Sequence, residues 1–204
     1  MLWRWVARLT AVAGQNRPAA PSAESYTAHV DGRDGAVLAT HRPHRSAVLK
    51  IVALDGDEIA TAAADGTAKV WSASSGEVRL VLEGHTGDVN SVAVDAPSQL
   101  AVTGATDRTV VIWNLRDGSC QSRLVGHIGT VWRVALSPGS RMVASGSGDN
   151  TVRLWDQASG ACLDEISHPD CVAAVAFSPN GDRLVVGCDD KKLYVYEILN
   201  HAKA

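Results

Sequence analysis

The sequence predicts an all-β chain of about four repeated units, each a small antiparallel sheet of four short strands. Three observations carry that prediction. Trp71, Trp113 and Trp155 stand 42 residues apart, and Tyr196 follows 41 residues after the last of them. His44, His85, His127 and His168 keep the same beat, at intervals of 41, 42 and 41 residues. Asp65, Asp107, Asp149 and Asp190 each precede their aromatic by six residues. Three residue types held in one phase over four copies mark a stack of supersecondary units, each burying its apolar face against its neighbours.

The residues between these anchors define the elements in order. Apolar side chains fall four, seven and nine residues after each His: Val48, Ile51, Ala53; Val89, Val92, Val94; Val131, Val134, Leu136; Val172, Val175, Phe177. The last two of each set alternate as a strand requires. The step from four to seven breaks that parity, which predicts a β-bulge with one extra residue. A turn follows, plainest in Ser178-Pro179-Asn180-Gly181, where Asn-Gly suits a positive φ. Second strands are expected at Ile59–Ala62, Ala101–Gly104, Val143–Gly146 and Leu184–Gly187. A short turn then carries the Asp. Third strands alternate into the aromatic through Ala68/Val70, Val110/Ile112, Val152/Leu154 and Leu193/Val195. Fourth strands run towards the next His at Val78–Leu82, Cys120–Val125 and Cys162–Ile166. Four short antiparallel strands per unit of this length describe a propeller blade and not a helical repeat.

Gly84-His85 with Val111-Ile112-Trp113-Asn114, and Gly126-His127 with Val152-Arg153-Leu154-Trp155-Asp156, resemble the Gly-His to Trp-Asp signature of the WD40-repeat family. The resemblance covers residues 26–200, with repeats at about 44–84, 85–126, 127–167 and 168–200 and a half-unit at 26–43. The half-unit rests on Val30-Asp31, which stands before His44 at the spacing from Trp113 to His127. Repeats 1 and 4 depart from the signature. His44 lacks a preceding Gly and Trp71 is followed by Ser72, while Ser167 precedes His168 and the last unit ends in Tyr196-Glu197. The resemblance implies a WD40 β-propeller of about four blades, either an open arc or part of a larger ring.

Composition agrees with one globular domain. Hydrophobic residues make up 46% of the 204, enough for a core. A net charge of −3 with acids and bases mixed gives no electrostatic footprint for nucleic acid. No apolar run reaches transmembrane length. The four cysteines form no CxxC pair, and Cys120 and Cys162 share one repeat position, so buried free thiols of a reducing compartment are expected. His168, Cys171 and Cys162 lack a fourth ligand at useful spacing, so neither a metal nor a cofactor is expected. Residues 1–25 form a separate leader. Its first 23 residues contain no acid, and Leu2, Trp5, Val6, Leu9, Val12 and Ala13 share one helical face. A disordered terminus or short amphipathic helix of a cytoplasmic or nuclear protein is expected; the alternatives are a mitochondrial presequence, which an acid-free, Arg-bearing amphipathic start resembles, and a leader left by truncation.

His127, Ser145 and Asp149 have the chemistry of a catalytic triad. The same trio recurs as His85, Thr103, Asp107 and as His44, Thr61, Asp65, each with its Trp113 or Trp71, as the first has Trp155. An enzyme needs one activated nucleophile, and no G-x-S-x-G elbow presents a Ser. The family resemblance implies that these twelve residues are structural hydrogen-bond chains, and that repeat 4, with Val186 for the hydroxyl and Tyr196 for Trp, breaks its own. It also implies a non-catalytic scaffold or adaptor binding a protein or peptide on the face where blade-entry loops and bulges gather. The candidate contact residues there are Trp132, Asn90, Leu49, Ala173, Thr106 and Asp88, with Ala64, Gly148, Asp189 and Arg133 nearby. Exposed Trp is a hot-spot type, which puts Trp132 first. The other reading is a fragment of a larger regulatory or enzymatic protein whose active domain lies elsewhere. Four units would close a ring only at about 90° per blade, so an open arc is expected, with the strand at Ala36–Thr40 far from Leu193–Ile198; a homodimer or further repeats would close it.

Overall fold

The alternation of β-branched side chains with small or polar ones places a strand at almost every predicted position. The computed structural model describes residues 27–30 and 37–198. The leader at 1–25, Tyr26 and Ala36 lie outside the described residues. Three sheets have four antiparallel strands in sequence order. The first holds β3 (Val48–Ala53), β4 (Glu58–Ala63), β5 (Thr67–Ser72) and β6 (Val78–Glu83). The second holds β7 (Val89–Asp95), β8 (Leu100–Ala105), β9 (Val110–Asn114) and β10 (Cys120–Leu124). The third holds β11 (Val131–Leu136), β12 (Met142–Ser147), β13 (Thr151–Asp156) and β14 (Cys162–Ser167). The last sheet has three strands, β15 (Val172–Phe177), β16 (Arg183–Cys188) and β17 (Leu193–Glu197). The half-unit is a two-stranded pair, β1 (Thr27–Val30) and β2 (Val37–His41).

The bulges fall where the broken parity puts them. Register shifts occur between Val48 and Lys50, Val89 and Ser91, Val131 and Arg133, and Val172 and Ala174. A second irregularity sits at the aromatic end of the third strand, where Trp71 pairs with Val78, Trp113 with Cys120 and Trp155 with Cys162. Val30 pairs with Val37 at the same spacing and with the same shift. β1 and β2 are therefore the third and fourth strands of a unit. The turn before each third strand needs one left-handed residue. Gly66 supplies it at φ 80° in the first sheet, while Arg108, Asn150 and Lys191 take φ of 70°, 65° and 71° at the matching positions.

Apolar clusters lie between successive sheets, not within them. Ala62, Val70 and Leu82 meet Val89, Val92 and Trp113; Val102, Val110 and Ile112 meet Val131, Val134 and Trp155; Val152 and Leu154 meet Val172, Leu184 and Val186. Packing thus runs in a line from the first sheet to the fourth. β2 completes this line at the front, since His41 Nε2 donates to the Ala73 carbonyl at 2.9 Å and its ring meets Trp71 edge-on at 5.7 Å. β2 pairs with β1, and among the described residues no pairing joins it to β17. The arc stays open.

The cysteines depart from expectation. Cys120 and Cys162 are exposed, not buried. They open the fourth strand, the outermost of each sheet, whose outer side has no further strand to cover it. All four cysteines are free, and Cys188 is the buried one.

Candidate functional site

Each of the first three sheets carries a polar chain running from its Trp to its Asp. In the third, the Trp155 indole N–H donates to Ser145 Oγ at 2.8 Å, the Ser145 hydroxyl meets His127 Nε2 at 2.7 Å, and His127 Nδ1 meets Asp149 at 2.9 Å. The direction follows from chemistry. An indole only donates and a carboxylate only accepts, so His127 carries its proton on Nδ1 and accepts the Ser145 hydroxyl's hydrogen bond on Nε2. The second sheet repeats this with Trp113 to Thr103 at 2.8 Å, Thr103 to His85 at 2.7 Å and His85 to Asp107 at 2.9 Å. The first has Trp71 to Thr61 at 3.1 Å, Thr61 to His44 at 2.7 Å and His44 to Asp65 at 3.0 Å.

Each Asp also holds two turns together. Asp149 accepts from the backbone N–H of Ile128 and of Thr151 and from the Thr151 hydroxyl. Asp107 binds Thr86 and Thr109 in the same way, and Asp65 binds Arg45 and Thr67. Thr67, Thr109 and Thr151 are fifth members that the sequence reading passed over. Their signal is in the sequence, a Thr two residues after Asp65, Asp107 and Asp149, where Asp190 has Lys192 instead.

The fourth sheet has lost two members and is rewired. The Tyr196 hydroxyl lies 3.1 Å from His168 Nε2, and His168 Nδ1 lies 3.1 Å from the Ile166 carbonyl. Asp190 instead accepts from the Tyr194 hydroxyl at 2.6 Å and from the Lys192 backbone N–H at 3.0 Å.

Burial drives the electrostatics of the intact chains. It holds the His44, His85 and His127 imidazoles below their ordinary range, against the pull of the neighbouring carboxylates. Burial would push the Asp65 carboxyl up, but hydrogen bonds from Thr67 and Arg45 and the His44 ring outweigh it and bring it down to about 2. Asp149 and Asp107 are lowered by the same balance. The pH dependence has a definite sign. An unfolded imidazole takes up a proton below about pH 6.5, while its folded counterpart resists. Stability is therefore full above that value and falls as pH drops through it, with a further loss from the aspartates below about pH 4. The melting midpoint should stay level from about pH 8 to about pH 7 and drop by about pH 5. A flat profile across that range would contradict three buried neutral imidazoles.

The triad-like geometry has no access. Ser145 is fully buried, and its oxygen already accepts the Trp155 indole, so no substrate carbonyl reaches it. Among the described residues no group of three or more His, Cys, Asp and Glu side chains is arranged to hold a metal ion, and no helix is long and apolar enough to cross a membrane.

The bulge residues are the other candidate set. Trp132 is exposed, with its indole beside Gly148 and Cys171. Burial raises the Cys171 thiol, with Asp189 and Asp170 adding to the effect, so it stays protonated. Leu49, Ala173 and Asp88 are exposed, and Thr106 is half-buried against Gly87. Asn90 differs from expectation. It is buried, and its side-chain amide donates to the Val131 carbonyl of the next sheet at 3.0 Å. The bulged Val131 carbonyl offers a lone acceptor there, so Asn90 ties sheet to sheet and presents nothing outward. Ser91 beside it accepts from the Val134 N–H at 3.2 Å.

Comparison with known proteins follows the same units. The family model described as WD domain, G-beta repeat matches residues 35–72, 76–114, 118–156 and 160–197. WD repeat-containing protein pop1 of Schizosaccharomyces pombe (strain 972 / ATCC 24843) is 40% identical over 65 residues. That segment is 32% of this chain and 8% of the relative, so the chain spans only a small part of the relative's length.

Proposed function

We propose, because the chain belongs to the WD40-repeat family, that it is a non-catalytic scaffold or adaptor binding a protein or peptide on the face that carries its bulges and blade-entry loops. Proteins of this family generally serve as scaffolds for protein partners. The observation that carries the reading is Trp132. It is a large aromatic held at a bulge, exposed, and flanked by Gly148, which leaves the approach open. An exposed, rigid aromatic in such a place is the residue type that dominates interface energetics. Leu49, Ala173, Thr106 and Asp88 remain as peripheral contacts, and Asn90 leaves the set because its amide is already bonded inside.

The test is a substitution with two readouts. Trp132→Ala should weaken capture of the partner at least about 30-fold, the loss of about 2 kcal/mol typical of a hot spot. Circular dichroism and the melting midpoint should barely move. Affinity capture with mass spectrometry identifies the partner, and titration with that purified partner gives the ratio. Unfolding of the mutant would make Trp132 a packing residue, and unchanged affinity would move the contact elsewhere. A second reading, a segment of a longer regulatory or enzymatic protein, is favoured by the small share of the pop1 relative that the chain spans. The intact mass of the native protein distinguishes the two.

A further inference from the structure

The fourth sheet carries a face that its sister sheets keep covered. In the third sheet, Val152 and Leu154 are 0% and 8% exposed, because the fourth sheet lies on them. Their counterparts three and five residues after the Asp of the last unit are Leu193 and Val195, which are 75% and 60% exposed. Gly146 faces the fourth sheet so closely that a Cβ there would meet Val172 Cγ1 at 2.5 Å. Gly187, its counterpart, meets nothing nearer than Ala174 and Leu193 of its own sheet. Ala174, Ala176 and Val185 complete the uncovered surface, in register with Leu193 and Val195. Apolar and small in the middle, with the paired charges Arg183 and Glu197 only at its end, this is a blade-docking face with no blade on it among the described residues.

The front of the arc has the opposite deficiency. Val89, Val131 and Val172, four residues after their His, are fully buried against the preceding sheet. Val48 and Ile51 occupy the same repeat positions in β3 and stay partly exposed. Among the described residues the preceding unit shows only its third and fourth strands, β1 and β2, and no strand lies over Val48 and Ile51 from the positions of its first and second. Among the described residues, the last sheet thus offers three strands, while the front offers a third and a fourth strand without a first or second.

We propose that the uncovered face of β15, β16 and β17 docks head-to-tail on the first sheet of a second copy of this chain. β17 takes the place of β1 beside that copy's β2, and Tyr196 takes the place of Val30 opposite Val37. The contact continues an interface the molecule already builds three times, with the same residue types at the same positions. Three strands from one copy and one from the other make a complete four-stranded sheet. Two arcs of four sheets give a ring of eight, within the range of about four to eight blades that propellers adopt. A head-to-tail contact between two copies then closes on itself, with no free edge left to extend. This inference is independent of the Trp132 reading, since each can fail alone.

Sedimentation equilibrium of the 204-residue chain over about 1–100 µM tests it. The expected mass is twice the 21.4 kDa of one chain. Leu193→Asp/Val195→Asp, at sites exposed in the single chain, should give a folded monomer at the same concentrations. Ile51→Asp and, separately, Val48→Asp should do so from the other side. An equimolar mixture of the tail variant with either head variant should regain a one-to-one complex, since one intact head meets one intact tail. A monomeric wild-type chain overturns the proposal, as does a dimer that survives the tail variant. A mixture that stays monomeric overturns the head-to-tail arrangement.

Discussion

Asp149→Ala is expected to lower the thermal midpoint by roughly 6–12 °C, and Asp190→Ala by far less. Asp149 accepts from His127, from the backbone of Ile128 and Thr151 and from the Thr151 hydroxyl, and its side chain is 3% exposed. Removing it leaves donors on two segments, His127–Ile128 and Thr151, without their acceptor, and the His127 side chain is buried away from water. His127 then loses the group that fixes its Nδ1–H, and with it the serine and indole links that depend on that tautomer. Leaving buried donors without the charged acceptor they share costs about 3 kcal/mol. For a domain of this size each kcal/mol moves the midpoint by about 2–4 °C. Asp190 occupies the same repeat position in a different setting. Its donors are Tyr194 and Lys192 near the uncovered side of the molecule, and neither His168 nor Tyr196 bonds to it. Those donors turn to water when the carboxylate goes. Equal losses in the two variants would falsify the assignment of the buried chain to the first three sheets alone.

The features legible in the sequence are those that recur. A bulge written as a broken parity, a turn before the third strand and a four-member chain of Trp, hydroxyl, His and Asp all repeat at one interval, and repetition separates them from chance. Thr67, Thr109 and Thr151 were legible by the same rule, but Thr is common in strands and its role appears only when both its N–H and its hydroxyl meet the Asp. What stayed hidden lies between units or at their ends. Asn90 follows the bulge pattern of Trp132, yet its amide turns inward because the Val131 carbonyl of the next sheet waits for a donor. No spacing within one unit encodes a bond to its neighbour. Cys120 and Cys162 share a phase, which said that they are equivalent and left open which side of an outermost strand they face. The last unit visibly lacked its hydroxyl and its indole. That Tyr196 would reach His168 while Tyr194 took Asp190 depends on hydroxyl reach, which periodicity does not describe.

Gly146→Val is expected to cost about 2–3 kcal/mol, whereas Gly187→Val leaves the melting of the monomeric chain nearly unchanged. Both glycines sit in a second strand at the same repeat position, and valine suits a strand at either one by up to about 1 kcal/mol. Packing decides the difference. A Cβ on Gly146 falls 2.5 Å from Val172 Cγ1 and 3.1 Å from Val175 Cγ1, both on the facing sheet. Its counterpart in the second sheet, Gly104, meets Val131 and Val134 at 2.5 Å and 2.8 Å. The first sheet has Ala62 there, fully buried, so the spacing between sheets yields to one methyl group. Two further methyls of a valine ask for more than that, and the displaced pair Val172 and Val175 belongs to the first strand of the next sheet. The strain therefore acts on the whole contact between the third and fourth sheets, not on one side chain. Gly187 faces no following sheet in the single chain, where a Cβ meets only Ala174 at 3.2 Å and Leu193 at 3.7 Å. Melting curves taken at low concentration measure this difference within one chain. At concentrations where two copies associate, Gly187→Val should instead weaken the dimer, because it fills the face on which the second copy would sit. A Gly146→Val variant that melts with the wild type would show that the sheets are held more loosely than their contacts imply.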